Sequence, residues 1–476
     1  KTLLLSAVRT LFEDGLKNFS GLEIERCWKD TKTYPVVQID LEKALTTRFR
    51  GEFADRLMFL LSERFKPAGF VSGAPDLAVY LEELSSWLGS LPGQSLVLLI
   101  DNADAPVTLF LEKPEKRSAA EDALARFYAV LEAHESVFRF LFAVQTTNLA
   151  GEKLTSAMQF LEDISYDHRF ALLLGITTLE CKKYFPDYLA RAAEVRSTTA
   201  SDVLDDLEAQ YGGYCYDLKY KKTVLNPCSL LNFFARPEDG FVPYWMNERK
   251  VASDLRIFMR LRRFGQPHSF DTDHKEHLDA LKNKVLVPAV SEVVPMAQAG
   301  YLTITASRLD MVHLRYPNIE VRHALAMVYS AELYNEGSLC HESLCEGCVS
   351  FMEGNPTGAF LVLAQGFSLI KPGLTGVPDP QLLSTYAQIF LESINEGEAM
   401  RIRRLGSTSA LEIRTDACRW VMDFMIGMHR NVADERMSSA ARKLREEYPP
   451  EDETESLYVV LLFSAPTHSL VRWTVG

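Results

Sequence analysis

The chain has 476 residues, more than one ordinary domain holds, so two or three domains are expected. Hydrophobic residues make up 47% and charged residues 24%, the balance of a globular chain, with no run able to span a bilayer and no signal-peptide pattern. A formal net charge of -13 disfavours a surface-wide grip on nucleic acid, and eight scattered cysteines favour a reducing, intracellular compartment over a disulfide scaffold.

The sequence starts at Lys1 rather than methionine, which reads as a fragment. Lys1 to Glu13, KTLLLSAVRTLFE, has the apolar spacing of an amphipathic helix. Tyr34 to Asp40, YPVVQID, reads as a strand, and helical patterns follow at Phe53–Phe65 and Pro75–Leu88. In Leu96 to Pro106, LVLLIDNADAP, an unbroken apolar run from Leu96 to Ile100 enters Asp101. That is the pattern of a strand buried on both faces, as in parallel sheets. Ala119–Ala133 is a helix and Val137–Val144, VFRFLFAV, a further buried strand. This alternation predicts a parallel sheet with crossover helices, with Asp101 at the carboxyl edge where α/β folds keep their ligands.

Leu154–Ile164 and Leu179–Ala193 read as helices, and Tyr211–Asn226 as a small β element punctuated by Gly212 and Gly213. The region from about Asn232 to Leu286 reads as mostly helical, with a basic face between Arg249 and Arg263 that is solvated or, in the competing reading, binds nucleic acid. Tyr301–Ala306 is a strand, and Arg315–Arg322 leads into a helix. After Glu336 the pattern is that of a second α/β unit. It has helices at Gln381–Asn395 and Ser438–Glu447, and strands at Leu411–Arg414, Arg419–Phe424, Leu457–Phe463 and Leu470–Val475.

The order of these stretches resembles the AAA-ATPase-like proteins that carry a C-terminal PD-(D/E)XK nuclease-like domain. KTLLLS is similar to the end of a P-loop and its helix, YPVVQID to the following strand, and LVLLIDNADAP to the second acidic motif. LEDISYDHRFALLLGIT is similar to the segment after the sheet, and YGGYCYD with VLNPCSLLNFF to a small aromatic module. QAGYLTI and YPNIEVR are similar to the junction, and SALEIRTDACRWVMDFM with LYVVLLFSAPTHSLVRWTV to the nuclease sheet. The resemblance implies an ATPase-like core over 1–205, a small β element and mostly helical connector over 206–335, and a nuclease-like domain over 336–476.

It also implies sites. Lys1 and Thr2 would be the lysine and magnesium-binding hydroxyl of the P-loop, whose glycines would precede Lys1. Asp101 would hold Mg²⁺ with Thr2, and Asp104 would be a further acid of the motif. Asn102 stands where the family has a glutamate that orients water, and an amide is no carboxylate base. Gln145 and Thr146, at the tip of the next strand, either touch a γ-phosphate or cap the strand. The implied cofactors are ATP and Mg²⁺. In the nuclease-like part, the two acids and the lysine needed for metal-assisted cutting correspond to Ala410, Asp423 and Met425, so two of the three groups are lost. Ser407–Ala410 fills the place of a Gly-Arg-x-Asp stretch, and the later helix has Arg442 near the family's glutamine position. Glu412 is displaced from Ala410 by one pleat, ~7 Å, too far for simple rescue.

Other candidates carry less. Cys340, His341, Cys345 and Cys348 are packed too tightly in sequence for an ordinary zinc site, so zinc is not favoured over loop thiols. Asp273, His274 and His277 read as part of a solvated helix, and His168 as a surface or capping residue. The reading is an α/β protein that is a catalytically impaired pseudoenzyme, acting as a scaffold, effector or regulator on a protein partner rather than on nucleic acid or membrane. The competing reading is an ATP-dependent nuclease, or a nucleotide-switched binding protein, with unorthodox site residues.

Overall fold

A computed structural model describes residues 1–46, 51–148, 151–218, 222–247, 267–282, 291, 293–334, 348–371, 379–395, 400–427, 434–451 and 454–476. In the N-terminal region, β1 (Val36–Asp40), β2 (Leu96–Asp101) and β3 (Phe138–Ala143) form a parallel sheet in the order β1-β2-β3. β2 lies between the other two and is buried along its whole length. Its side chains alternate between two cores. Val97 and Leu99 meet Leu5 and Phe12 of α1 (Thr2–Asp14), whereas Leu96, Leu98 and Ile100 face the other way. There they join apolar residues of α2 (Phe53–Phe65), α3 (Leu77–Ser90) and α4 (Pro114–Ala133). Helices on both faces explain the unbroken apolar run. Asp76 caps α3 by accepting from the Val79 amide at 3.0 Å.

The next region is less helical than its sequence pattern suggests. The stretch read as Leu179–Ala193 is two helices, α5 (Thr178–Tyr184) and α6 (Pro186–Val195), divided at Pro186, which starts the second instead of continuing the first. The stretch read as Leu154–Ile164 is helical only over Glu152–Ala157. α7 (Ala200–Tyr211) follows, then a two-stranded hairpin of β4 (Tyr214–Cys215) and β5 (Thr223–Val224), and α8 (Pro227–Ala235). The mostly helical reading of 232–286 needs correction where it is described. His274–His277 is strand β6, which pairs antiparallel with β8 (Met311–Arg315), itself paired with β7 (Thr303–Arg308). β6 is polar and too short for a period to show, so its sheet partners decide its conformation. The basic stretch Arg249–Arg263 lies outside the described residues.

α9 (Val293–Gln298) precedes β7, and α10 (Ile319–Leu333) follows β8. Glu320, in the first turn of α10, is buried. It accepts from Ser229 Oγ of α8 at 2.8 Å and from the Trp245 amide at 2.8 Å, tying three segments together.

The C-terminal region has a five-stranded mixed sheet in the order β13-β12-β11-β10-β9. Its strands are β9 (Arg401–Arg404), β10 (Leu411–Arg414), β11 (Cys418–Gly427), β12 (Glu455–Ser464) and β13 (Ser469–Val475). Neighbours are antiparallel except β11 and β12, which run parallel. α11 (Pro356–Ser368) and α12 (Pro380–Ile394) cover one face, where Phe367 packs on Phe424 and Phe463. α13 (Asp434–Glu447) crosses the other face between the parallel strands and seats Met437 and Ala441 on Val460 and Leu462.

Burial pushes the Glu320 carboxyl up to about 7, against the pull of the Trp245 amide, the Ser229 hydroxyl and the Tyr244 amide. Between pH 4.5 and 7 the unfolded chain therefore releases a proton that the folded chain keeps, and stability falls as pH rises. Relative to a Glu320→Gln variant, the wild type should lose about 3 kcal/mol of stability across that window. Urea unfolding at a series of pH values reads it.

Candidate functional site

The register of the parallel sheet sets the geometry at its carboxyl edge. Asp40 and Asp101 are direct partners at the ends of β1 and β2. The next residue, Asn102, has φ 52, a left-handed backbone that asparagine tolerates better than most residues. Its side-chain Nδ2 donates to Asp40 Oδ1 at 3.0 Å, so the amide fastens the two strand ends. An amide engaged in this way has neither the charge nor the freedom to activate water.

Two further chain segments meet this edge. From the start of α1, Thr2 Oγ1 donates to Asp101 Oδ2 at 2.9 Å, and the Asn102 amide donates to Asp101 Oδ1 at 3.0 Å. Asp101 is almost fully buried, and no ion pair neutralises it among the described residues. Lys1 Nζ donates to Thr146 Oγ1 at 2.9 Å, bringing α1 against the loop after β3. Asp104 faces that same loop. Its oxygens accept from the Thr146 amide at 3.1 Å, the Thr147 amide at 2.8 Å and Thr147 Oγ1 at 2.9 Å. Asp104 thus shapes the loop, with both oxygens committed. Gln145 Nε2 donates to Asn148 Oδ1 within the loop. Lys1, Thr2, Asp101, Asn102, Asp104 and Thr146 therefore stand together, from segments far apart in sequence. Asp40 and Thr147 join them. The register match of YPVVQID with LVLLIDN signals Asp40, whereas Thr147 carries no sequence signal.

A second constellation lies on the α13 face of the C-terminal sheet. Leu411 pairs with Met422 and Glu412 with Val421, so one step further along the ladder Ala410 comes beside Asp423. Ala410 is buried with Val421, Leu444 and Tyr458. Ser409 Oγ donates to Asp423 Oδ1 at 2.6 Å. Met425 packs on Met437, Ala441, Val460 and Leu462. Arg442 stays on the exposed side of α13, its Nε donating to Ser438 O at 3.4 Å.

Glu412 has a separate role. It is buried, and its carboxylate is held by Arg403, by Arg414 at 3.3 Å and by Arg419 at 2.7 Å. Arg414 and Arg419 also pair with Glu451, and Arg419 Nη1 donates to Pro449 O at 2.9 Å. Burial would raise the Glu412 carboxyl, yet the hydrogen bonds from Arg403, Arg419 and Arg414 bring it down to about 2. Sequence reasoning considered Glu412 only as a displaced metal ligand. The arginines at 403, 414 and 419 were the missed signal.

The remaining candidates separate. Cys340, His341 and Cys345 lie outside the described residues, and Cys348 is buried with Sγ 3.2 Å from Ile394 O. Among the described residues no group of three or more His, Cys, Asp or Glu side chains is placed to hold a metal ion. The helical reading of His274 and His277 is corrected. Three apart on a strand, they point to opposite faces. Asp273 instead pairs with His313 Nδ1 at 2.7 Å. His168 Nδ1 stands 3.5 Å from Asp167 at the surface.

The Glu412 cluster predicts a stability signature. Its carboxyl lies below the usual value of 4.5, so its contribution is present above pH 4.5 and lost as pH falls toward 2. A Glu412→Gln variant should be less stable by about 3 kcal/mol at pH 7, since it strands buried guanidinium charge. The gap should close on acidification from pH 4.5 to 2, read by denaturant unfolding.

Comparison with known proteins bears on the N-terminal constellation. No solved structure matches the chain. Among the described residues no helix is long and apolar enough to cross a membrane. An uncharacterized protein from the vnfD 5' region of Azotobacter chroococcum mcd 1 is 27% identical over 329 residues, 68% of this chain. The match covers 60% of that relative, so the chain spans less than two thirds of its length. Residues 1–155, which contain the parallel sheet and the constellation around Asp101, match the AAA-ATPase-like family, described as a predicted AAA-ATPase.

Proposed function

We propose that this protein is a catalytically impaired ATPase-like protein with a nuclease-like C-terminal region, and that it works by binding a protein partner as a scaffold, effector or regulator. The observation that carries the reading is the state of three neighbouring positions: Asp423 is hydrogen-bonded to Ser409, Ala410 sits beside it with no ligand atom, and Met425 is packed against α13. Metal-assisted cutting of a phosphodiester needs converging acids and a cation at those places. The mixed sheet supports the nuclease-like part. Its adjacent strands β10 and β11 carry the motif positions, and a helix follows on the same face.

At the N-terminal sheet edge the residues fit a nucleotide with Mg²⁺. Asp101 is a buried carboxylate beside the Thr2 hydroxyl, the donor pair that P-loop proteins present to the metal. When bound, Mg²⁺ would neutralise phosphate oxygens and polarise the terminal phosphoryl group. Lys1 supplies charge for phosphate, Thr2 and Asp101 supply the oxygen ligands, and Asp104 keeps Thr146 at the rim of the site. Asn102 offers no base, so turnover is slow or absent. The acidic net charge of -13 favours a protein over nucleic acid as partner. We place the protein inside the cell. Eight cysteines scattered through an α/β chain suit a reducing compartment better than a disulfide scaffold.

Saturating MgATP should raise the melting temperature by about 2–4 °C, and Asp101→Asn should abolish the shift. Phosphate release should be slow or absent, and Mg²⁺-dependent DNA cutting should be absent. The competing reading, an ATP-dependent nuclease, requires the opposite: phosphate release lost on Asp101→Ala and cutting lost on Asp423→Ala.

A further inference from the structure

The loop after β3 is held from two sides. On the inner side Asp104 takes the Thr146 and Thr147 amides. On the outer side the Asn148 amide donates to Gln298 Oε1 at 2.9 Å, across 150 residues of sequence. Gln298 is the last residue of α9, beyond the stretch 1–155 that matches the ATPase-like family. Both ends of its amide are engaged, because Nε2 donates to Leu281 O at 3.2 Å. A side chain with both ends engaged has lost its rotamer freedom and can fix what it touches. What it touches is two residues from Thr146, whose hydroxyl receives Lys1 Nζ.

We propose that Gln298 is a positioning residue of the nucleotide site, a strut from the second half of the chain that sets the loop carrying Thr146. The inference rests on the nucleotide reading given above. Asp104 alone fixes the loop's amides against β2. With Gln298 added, the loop spans from β2 to α9, and Gly300, with φ +86, turns the chain from α9 into β7. Nucleotide that orders Thr146 therefore also orders Asn148 and its partner. By reciprocity, whatever holds Gln298 in place strengthens nucleotide binding by the same factor.

The test uses the full chain in three forms: wild type, Gln298→Glu and Gln298→Met. Glutamate keeps an oxygen for the Asn148 amide and loses the donor to Leu281. Methionine has similar length and offers neither group. In nucleotide-free protein, hydrogen exchange at the Asn148 amide should be about 10-fold faster in Gln298→Met and near wild type in Gln298→Glu. The dissociation constant for MgATP should rise about 3–10-fold in Gln298→Met, with an unchanged urea midpoint for the N-terminal region. Equal Asn148 exchange in all three forms overturns the inference, whatever nucleotide does. Faster exchange with an unchanged MgATP constant also overturns it, because the strut would then position nothing. Failure of the nucleotide reading is seen separately, as absence of MgATP binding to the wild type, and it takes the inference with it.

Discussion

A strand buried on both faces cannot end in a carboxylate without an arrangement to receive the charge. β2 is such a strand, and Asp101 is its last residue. The cost of leaving that carboxylate bare is several kcal/mol, so the local chain is organised around it. The parallel register brings Asp40 alongside, and Asn102 turns into the left-handed region to bridge the two strand ends. Thr2 arrives from the start of α1, and Asp104 folds the next loop inward. Each of these contacts follows from where β2 ends.

The C-terminal sheet meets a buried acid differently. Glu412 sits mid-strand, and three arginines from β9, β10 and β11 converge on it. Planar guanidinium groups suit this, because each presents a fork of donors that matches a carboxylate. Arg419 adds a second service by reaching the carbonyls at the end of α13. The cluster thereby fixes the helix against the sheet on the face where Ala410 and Met425 are packed.

The sequence made the apolar frame legible and the polar detail only partly so. LVLLID announces β2 because a strand covered by helices on both faces needs no alternation, whereas VFRFLFAV, read as a second buried strand, forms the edge strand β3, half-buried along most of its length with Phe140 exposed. The paired acids at 101 and 104 are visible as a motif, yet Asp104's commitment to Thr146 and Thr147 depends on a loop folding back across β2, which no local pattern encodes. β6 escaped notice because HKEH lacks an apolar period, and its strand state is imposed by β8. β9, Arg401–Arg404, was missed for a related reason: its arginines look like solvent-facing charge until Glu412 is placed opposite Arg403. Pro186 starts a second helix inside a spacing that looks continuously helical, because a proline fits the first turn of a helix and not its interior.

Asp101 and Glu412, two of the buried carboxylates, are balanced in different ways. Glu412 has its cations built in, so the sheet that carries it is electrostatically complete, and a metal bound there would compete with arginines already in place. Asp101 has hydrogen-bond donors but no ion pair among the described residues. Hydrogen bonds reduce the penalty for a buried charge without supplying the opposite charge that a metal ion or a lysine would. The C-terminal carboxylate is thus balanced by cations of its own sheet, and the N-terminal one by hydrogen-bond donors. Gln298 links the two regions at one point, since it joins the loop beside Lys1 to the elements that lead into β7.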